Sequence, residues 1–566
     1  MAIARRSPHR NGTEGGGPPP TRKPIGRWTW LGAALGLALL AFASVLLLGE
    51  GLADRTADRP RAGGDYQGYV TCEGAGCHDA QVQGWNATRH ASAWDELQNS
   101  GSAQDYCEAC HTTGAGDEAR GGFNVTTDLP VVLRNVQCEV CHGPDPMSAP
   151  GGASTRIDLS SAVCGRCHQG EHHPYYPEWQ NSTHSLSLLA AGGRVATDTS
   201  CQGCHVAQVA IAETFDGGSL PRPLTDPQPI TCAVCHDTHS NANEFQLRRP
   251  LAELCATCHN PAGAKPGEFL EHPQAAMRNG TSAIQTADVP STRHMNSTLC
   301  ADCHMYSRPY DPGQVPPRIT GHEFRPRPEA CASCHDGLNA TPALTVAQAR
   351  AQIDTWQDAT RQRLIQAGPS ITAAQRALRD APGLGFSPAA IEAATDLFDL
   401  ANYSMVFVDS DGSQGVHNPT YSAALLQYAE GKAQEVIDLL RPGQVTGRVV
   451  DSSGRPVAGA EIRLEGVVRA TTATDGSFTL DRAPGTYRLE VSRDGALALT
   501  KADVTVTAGR ATVLGDLVLP GEGGVPLVWI LLLLLAVIGI AFVWLFLRRS
   551  AKSGATETPE GEGDKQ

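Results

Sequence analysis

Apolar residues follow three different patterns along this chain of 566 residues. Two stretches, 28–48 and 525–547, are apolar from end to end and contain no ionisable residue. Each is long enough to cross a bilayer as a single helix, and with no charged side chain each reads as an anchor. Arg5, Arg6, Arg10, Arg22, Lys23 and Arg27 precede the first; Arg548, Arg549 and Lys552 follow the second. Basic residues collect on the cytoplasmic side of a span. The tails 1–27 and 548–566 are therefore expected in the cytoplasm, with everything between the two spans outside. Small residues at Gly51-Leu52-Ala53 leave a cleaved leader as the other reading of the first stretch, but its length favours a retained anchor.

Across 342–442 apolar positions recur at helical spacing. Thr345 and Gln348 stand at capping-box spacing and open a helix expected to end near 366, before Gly368-Pro369. A second helix is expected over about 372–380, and a third from Ser387-Pro388 to about 403. The fourth is expected from Asn418-Pro419 to about 440, again with proline in the first turn. From 444 to 519 the period changes to two, as in Thr486-Tyr487-Arg488-Leu489-Glu490-Val491, with turns at Ser453-Gly454 and Asp475-Gly476. That alternation predicts a small antiparallel sandwich.

The stretch 68–341 shows neither period and is rich in Gly, Pro, Ser and Asp; aromatics make up only 5% of the chain. It holds too little apolar side chain to build an ordinary core. What it does hold is cysteine. All eighteen cysteines fall in pairs that end in histidine. Eight read C-x-x-C-H: Cys107/Cys110/His111, Cys138/Cys141/His142, Cys164/Cys167/His168, Cys201/Cys204/His205, Cys232/Cys235/His236, Cys255/Cys258/His259, Cys300/Cys303/His304 and Cys331/Cys334/His335. The ninth, Cys72/Cys77/His78, has two extra residues between its cysteines, in a Glu73-Gly74-Ala75-Gly76 spacer whose glycines let the backbone bulge.

C-x-x-C-H is the attachment signature of haem c. One turn brings both thiols to the same side for the two vinyl groups, and the next histidine supplies an axial nitrogen to iron. Zinc sites and disulfides need no histidine after every second cysteine. Nine haems c are expected, eight on the standard spacing, and the buried porphyrins would supply the missing apolar volume. Net charge is −14 before propionates are added, which argues against nucleic acid as a partner.

Ten further histidines remain, and His9 lies before the first apolar stretch. The other nine are His90, His172, His173, His184, His239, His272, His294, His322 and His417, one per haem. Trp85-Asn86-Ala87-Thr88-Arg89-His90 and Trp179-Gln180-Asn181-Ser182-Thr183-His184 share a W-x-x-[ST]-x-H pattern. That pattern, with Val136-Gln137-Cys138-Glu139-Val140-Cys141-His142-Gly143-Pro144, resembles the cytochrome c554 group and implies distal ligands at His90 and His184. The segment from Cys232 through His239 to His259 resembles the doubled C-x-x-C-H domain, with His239 serving a neighbouring haem. His322 precedes the last motif by a loop's length and is expected to reach another haem. The segment around His417, Asp411 to Tyr421, resembles the ligand-bearing C-terminal helices of the nitrite reductase and hydroxylamine oxidoreductase superfamily. His272 and His294 are further candidates. His172 and His173 are adjacent and cannot both be well placed, so one iron is left for methionine (Met277, Met295 or Met305) or an open position. The motifs around Gly447, Pro456 and Asp475 resemble carboxypeptidase-regulatory-like domains, which implies an immunoglobulin-like spacer or docking module without chemistry of its own.

The expected fold is mainly α and coil: short helices wrapped on a haem row over 68–341, a helical segment completing it over 342–442, an all-β sandwich over 444–519 and two transmembrane helices. The expected function is electron transfer by a membrane-anchored cytochrome on the extracytoplasmic side, periplasmic or outer. It would draw on a quinol-oxidising or other redox membrane complex and on other cytochromes, in anaerobic or nitrogen and sulfur respiration. The alternative is an oxidoreductase of the nitrite reductase or hydroxylamine oxidoreductase type, acting on a small molecule at one open haem. Against it, no motif ends in lysine, and the tyrosine motif of hydroxylamine oxidoreductases is not recognisable near Tyr403 or Tyr421.

Overall fold

The computed structural model describes residues 65–550 except 74–77, 125–132, 145–156, 261–265, 268–271, 282–287, 291–293, 295–298, 338–341 and 521–526. The first apolar stretch, Cys77 and Met295 therefore lie outside the described residues. The chain divides into two compact units. One runs up to Cys167 and includes Asp237–Ala242; the other comprises His168–His236 and the chain from Asn243 onward.

The first unit is built from short helices such as Asp79–Asn86 and Cys138–His142, joined by turns. Its apolar core is small, formed by Trp94, Phe123 and Leu133. Polar anchors supply much of the order. The buried Glu139 carboxylate accepts from Gln67 N and Gly68 N, both at 2.9 Å, and Gln137 Oε1 accepts from Tyr69 N at 2.8 Å. These bonds pin the segment leading to Cys72 against the Cys138 motif.

In the second unit, short helices of the same kind give way to three long ones: α1 (Val346–Leu384), α2 (Pro388–Ser410) and α3 (Pro419–Leu439). Their starts follow the expected caps. Thr345 Oγ1 accepts from Gln348 N at 3.2 Å, Ser387 Oγ from Ala390 N at 3.2 Å, and Asn418 Oδ1 from Tyr421 N at 3.0 Å.

Gly368-Pro369, expected to end the first helix, does not. α1 passes through it and through Pro382 without a break. Pro369 removes one donor, but Thr372 Oγ1 donates to Gly368 O at 2.9 Å, and the buried Ala367, Ile371 and Ala374 keep the helix seated on both sides of the proline. Tertiary packing thus outweighs the local break. The interface with α2 and α3 is alanine-rich, with Ala394, Ala401, Ala429 and Ala433 fully buried, so the three backbones approach closely. α2 also runs seven residues past its expected end, because Phe407 and Val408 continue the buried face.

Seven strands follow: β1 (Gly443–Val450), β2 (Glu461–Leu464), β3 (Val467–Thr471), β4 (Ser477–Arg482), β5 (Gly485–Arg493), β6 (Ala496–Val506) and β7 (Ala511–Val518). They form two sheets, ordered β4-β1-β7 and β3-β2-β5-β6. All pairings are antiparallel as expected except β1 with β7, which is parallel. A parallel pair needs a long crossover, and the rest of the domain provides it. Val445, Val449, Ile462, Leu464, Leu489 and Val491 point between the sheets. Gly447 faces the Phe478 ring, which a Cβ there would meet at 2.8 Å.

A last helix, α4 (Leu527–Ser550), contains the second apolar stretch. Among the described residues it is the one helix long and apolar enough to cross a membrane, and its apolar side chains are exposed.

Ile462 is fully buried between the sheets. Ile462→Ala is expected to destabilise the sandwich by about 2–5 kcal/mol, read as earlier proteolytic cleavage within 444–519 and a lower denaturant midpoint. An unchanged midpoint would show that this core does not hold the domain together.

Candidate haem-binding centres

In the Cys138–His142 and Cys300–His304 helices one turn places both thiols on one side, with the histidine at the C-terminal end. The rings of the motif histidines are fixed from behind. Nδ1 of His111 lies 3.1 Å from Ala93 O, that of His205 3.2 Å from Ser187 O, and that of His236 2.8 Å from Phe245 O. His304 and His335 make the same contact with Phe324 O at 3.2 Å and Pro342 O at 3.3 Å, and His259 with Gln274 Oε1 at 3.3 Å. A neutral imidazole that donates through Nδ1 presents the Nε2 lone pair on its other side, which is the form that ligates a metal. Burial pushes the pKa of His236, His259 and His304 down, so these rings stay neutral.

The faces so presented meet second histidines. Ring centres lie 6.0 Å apart for His142 and His239, 6.4 Å for His236 and His322, 6.0 Å for His304 and His417, and 6.3 Å for His335 and His294. A four-ring group adds two more pairs: His259 lies 6.2 Å from His184, and His205 lies 5.7 Å from His272, with His259 also 5.8 Å from His272. A metal held between two imidazole nitrogens at about 2 Å each sets ring centres on the order of 6 Å apart. Rings in van der Waals stacking would sit closer. The donor set thus fits six irons with two axial histidines each. Burial drives His184 and His322 down to about 4, helped at His184 by His259 and His205 and at His322 by His236.

The second histidines are held as firmly as the first. Glu178 lies buried in the helix Tyr175–Gln180. Its carboxylate accepts from Thr320 N at 2.9 Å, Thr320 Oγ1 at 2.6 Å and His322 N at 2.9 Å, while His322 Nδ1 meets Thr320 Oγ1 at 3.1 Å. His417 Nδ1 lies 2.6 Å from Oδ1 of the buried Asp411. Neither carboxylate was apparent from motif reading, because each acts through a histidine remote from any cysteine or through one turn of loop.

Motif thiols also meet one another. Cys72 contacts Cys138, Cys110 contacts Cys167, Cys204 contacts Cys258 and Cys255 contacts Cys300. Attachment points of successive motifs are therefore adjacent within each unit, although no described cysteine forms a disulfide. Burial pushes Cys138 up to about 12, and Cys235 and Cys303 up to about 11.

Cys334 departs from the expectation that the attachment thiols lie covered within the haem row. It is exposed, whereas Cys331 of the same motif is half-buried, with its thiol pushed up by burial. The cause is its place in the helix Pro328–Cys334. Pro328 and Ala330 bury the first turn, and Cys334 is the last helical residue, before His335 leaves helical geometry at φ −87° and ψ 59°. Attachment through Cys334 would therefore put one porphyrin edge of the last motif at the protein surface. Cys141 and Cys303 are also exposed as residues, yet desolvation still raises both of their thiols.

The two W-x-x-[ST]-x-H segments adopt the same local geometry. Trp85 Nε1 donates to Val136 O and Trp179 Nε1 to Ile230 O, each at 2.9 Å and each across 51 residues. The histidine pairs His111/His142, His205/His236 and His304/His335 share a separation of 31 residues. That spacing was present in the sequence and marks the nine motifs as three related triplets. His90 is buried, and its carbonyl accepts from Val136 N at 3.0 Å. The His172 ring stacks on Tyr310 at 4.1 Å and its carbonyl accepts from Arg318; the His173 and His168 rings lie 6.4 Å and 5.5 Å from Tyr175. His90, His172 and His173 are the candidates left for the motifs ending in His78, His111 and His168. Met277 is not available as a ligand. It is fully buried among Phe407, Tyr421 and Leu425, with its sulfur accepting from Ser422 Oγ at 3.4 Å.

Four family models match the chain. They are cytochrome c554 and c-prime over 71–143, the doubled CXXCH motif over 223–264, cytochrome c552 over 291–442 and the carboxypeptidase regulatory-like domain over 444–520. The chain is 27% identical over 181 residues to the multiheme cytochrome MtrA of Shewanella baltica, covering 27% of this chain and 52% of that protein. It is 28% identical over 192 residues to cytochrome c-554 of Nitrosomonas europaea, covering 31% of this chain and 67% of that one. Among solved structures, the outer cell wall cytochrome OcwA matches at 23% identity with a TM-score of 0.43, over 58% of this chain and 76% of that chain. An undecaheme cytochrome from the S-layer of Carboxydothermus ferrireducens matches at 22% identity with a TM-score of 0.36, over 54% of this chain and 50% of that chain. The attachment motifs, the facing imidazoles and these sequence matches agree: the chain is a multihaem c-type cytochrome that also carries a carboxypeptidase regulatory-like domain.

Proposed function

We propose that this cytochrome is a membrane-anchored electron conduit with nine covalently attached haems c, working on the extracytoplasmic side. Electrons would arrive from a quinol-oxidising or other redox membrane complex and leave to other cytochromes, in anaerobic or nitrogen and sulfur respiration. The observation that carries this reading is the set of facing imidazole rings, 5.7–6.4 Å apart. Two axial histidines fill both open faces of an iron and leave no place for a substrate. Bound haem supplies one-electron iron chemistry. The chain's own residues hold the imidazoles neutral and in place, so that little has to rearrange when an electron comes or goes. The exposed apolar helix α4, followed by Arg548, Arg549 and Lys552, supports the membrane anchor. The β-sandwich is read as a spacer or docking module.

Mass spectrometry of the mature protein is expected to show nine haems' worth of added mass, and low-temperature electron paramagnetic resonance to show low-spin ferric signals. A high-spin signal that responds to nitrite or hydroxylamine would overturn the conduit reading in favour of an oxidoreductase with an open haem.

Glu178 is expected to be needed for His322 ligation. Glu178→Ala removes from the 320–322 loop charge-assisted hydrogen bonds worth roughly 1.5–3 kcal/mol each. One low-spin signal should convert to high-spin in that variant, with Glu178→Gln intermediate. Unchanged spectra in both would show that the loop is held by other contacts.

A further inference from the structure

The six paired centres do not share the same electrostatic surroundings. At seven of these histidines the Nδ1 partner is identified and is neutral: a backbone carbonyl at His111, His205, His236, His304 and His335, the Gln274 side chain at His259, and the Thr320 hydroxyl at His322. At His417 it is a carboxylate, Asp411 Oδ1, at 2.6 Å. The Asp411 side chain has no solvent exposure.

The loop between α2 and α3 is built to keep that carboxylate in place. Asp411 Oδ2 accepts from Ser413 Oγ and from Ser413 N, and Ser413 Oγ accepts in turn from His417 N at 3.2 Å. Gly415, at φ +90°, lies so close to Thr360 of α1 that a Cβ would meet Thr360 Oγ1 at 2.1 Å. Arg361 Nε donates to Gln414 Oε1 at 2.6 Å, and Gln274 Nε2 donates to Asp411 O at 3.3 Å. On the far side Asn418 caps α3 and donates to Val289 O at 2.9 Å. Four separate segments thus converge on one loop whose buried carboxylate has His417 as its ring partner.

We propose that Asp411 is a positioning and tuning residue that sets the haem attached through Cys300 and Cys303 to a lower reduction potential than a neutral acceptor would give. An imidazole that donates its Nδ1 proton towards a buried carboxylate gains imidazolate character, so Nε2 becomes a stronger donor and the ferric state is favoured. The nearby negative charge acts in the same direction, since it disfavours an added electron where water cannot screen it. In a multihaem carrier such a haem is a controlled step in the path: an electron reaches it less readily and leaves it more readily. The inference rests on His304 and His417 being the two axial ligands of that iron, as proposed above.

The test uses the full-length haem-loaded protein, titrated optically against potential and followed in parallel by electron paramagnetic resonance, for wild type, Asp411→Asn and Ser413→Ala. Asp411→Asn keeps the shape and an accepting oxygen but removes the charge. It should retain the wild-type haem mass and low-spin state, move one one-electron component to more positive potential, and raise the largest g-value of one low-spin signal. Ser413→Ala leaves the carboxylate and removes a hydroxyl that donates to it, so the bond to His417 strengthens and the same component should move to more negative potential. Coincident titrations of wild type and Asp411→Asn would overturn the proposal. So would a positive shift or no shift in Ser413→Ala, which decides the matter if Asp411→Asn fails to load haem. A wild-type high-spin signal responsive to nitrite would count against the conduit reading instead, and is separate from either shift.

Discussion

Everything in the cysteine-bearing part of the molecule is arranged around pairs of imidazole nitrogens facing each other across a gap that suits one metal ion. A histidine ring has two nitrogens, and the chain commits one of them, Nδ1, to an oxygen behind it, as at His111, His205 and His236. The other is then aimed forward as a lone pair. Because burial disfavours the protonated ring, most strongly at His184 and His322, the forward nitrogen is available across the ordinary pH range. Short helices and turns are enough to build this, since each needs only to present two thiols and a ring.

Such a design places unusual weight on polar anchors. The first unit's apolar core is limited to a few side chains around Trp94, so buried carboxylates and indole N–H groups do the locating. Glu139 gathers backbone N–H groups ahead of Cys72; Glu178 gathers those around His322; Trp85 and Trp179 each reach a carbonyl just before the next attachment site. Directional bonds suit this task better than apolar contact, because axial ligation tolerates little displacement of the ring. The helical segment and the sandwich are held differently. There, close alanine packing and interleaved β-branched residues supply stability of the ordinary kind, and α1 is continuous enough to brace the His417 loop from one side.

Contacts between thiols of different motifs carry a consequence for redox function. Where Cys110 meets Cys167, or Cys204 meets Cys258, two porphyrin edges are attached at neighbouring points. Electron transfer falls off steeply with separation, so adjacency of attachment points is what a carrier requires. The recurrence of one such contact in each unit matches the recurrence of the tryptophan bonds, and both follow from repetition of the same segment within the chain.

The chain's chemistry was legible before any coordinates. Cysteine and histidine spacing is a local property, because a single turn decides whether two thiols and a ring can meet one porphyrin, and the attachment motifs could be read residue by residue. The helix caps at Thr345, Ser387 and Asn418 and the two-residue alternation after Gln444 are local in the same sense. Other features were not local. Which histidine faces which, such as His142 with His239 or His304 with His417, depends on how distant loops return, and sequence distance carries no record of it. Nor does motif spacing say which thiol ends at the surface, as Cys334 does where its helix stops. The helix through Pro369 and the parallel pairing of β1 with β7 depend on packing partners contributed from elsewhere in the chain. The carboxylates of Glu178 and Asp411 look like any exposed acidic residue in the sequence, and only burial against a particular imidazole or loop turns them into determinants of the site. Spacing sets what a segment can bind, whereas the folded chain sets the direction and electrostatic environment of each bond.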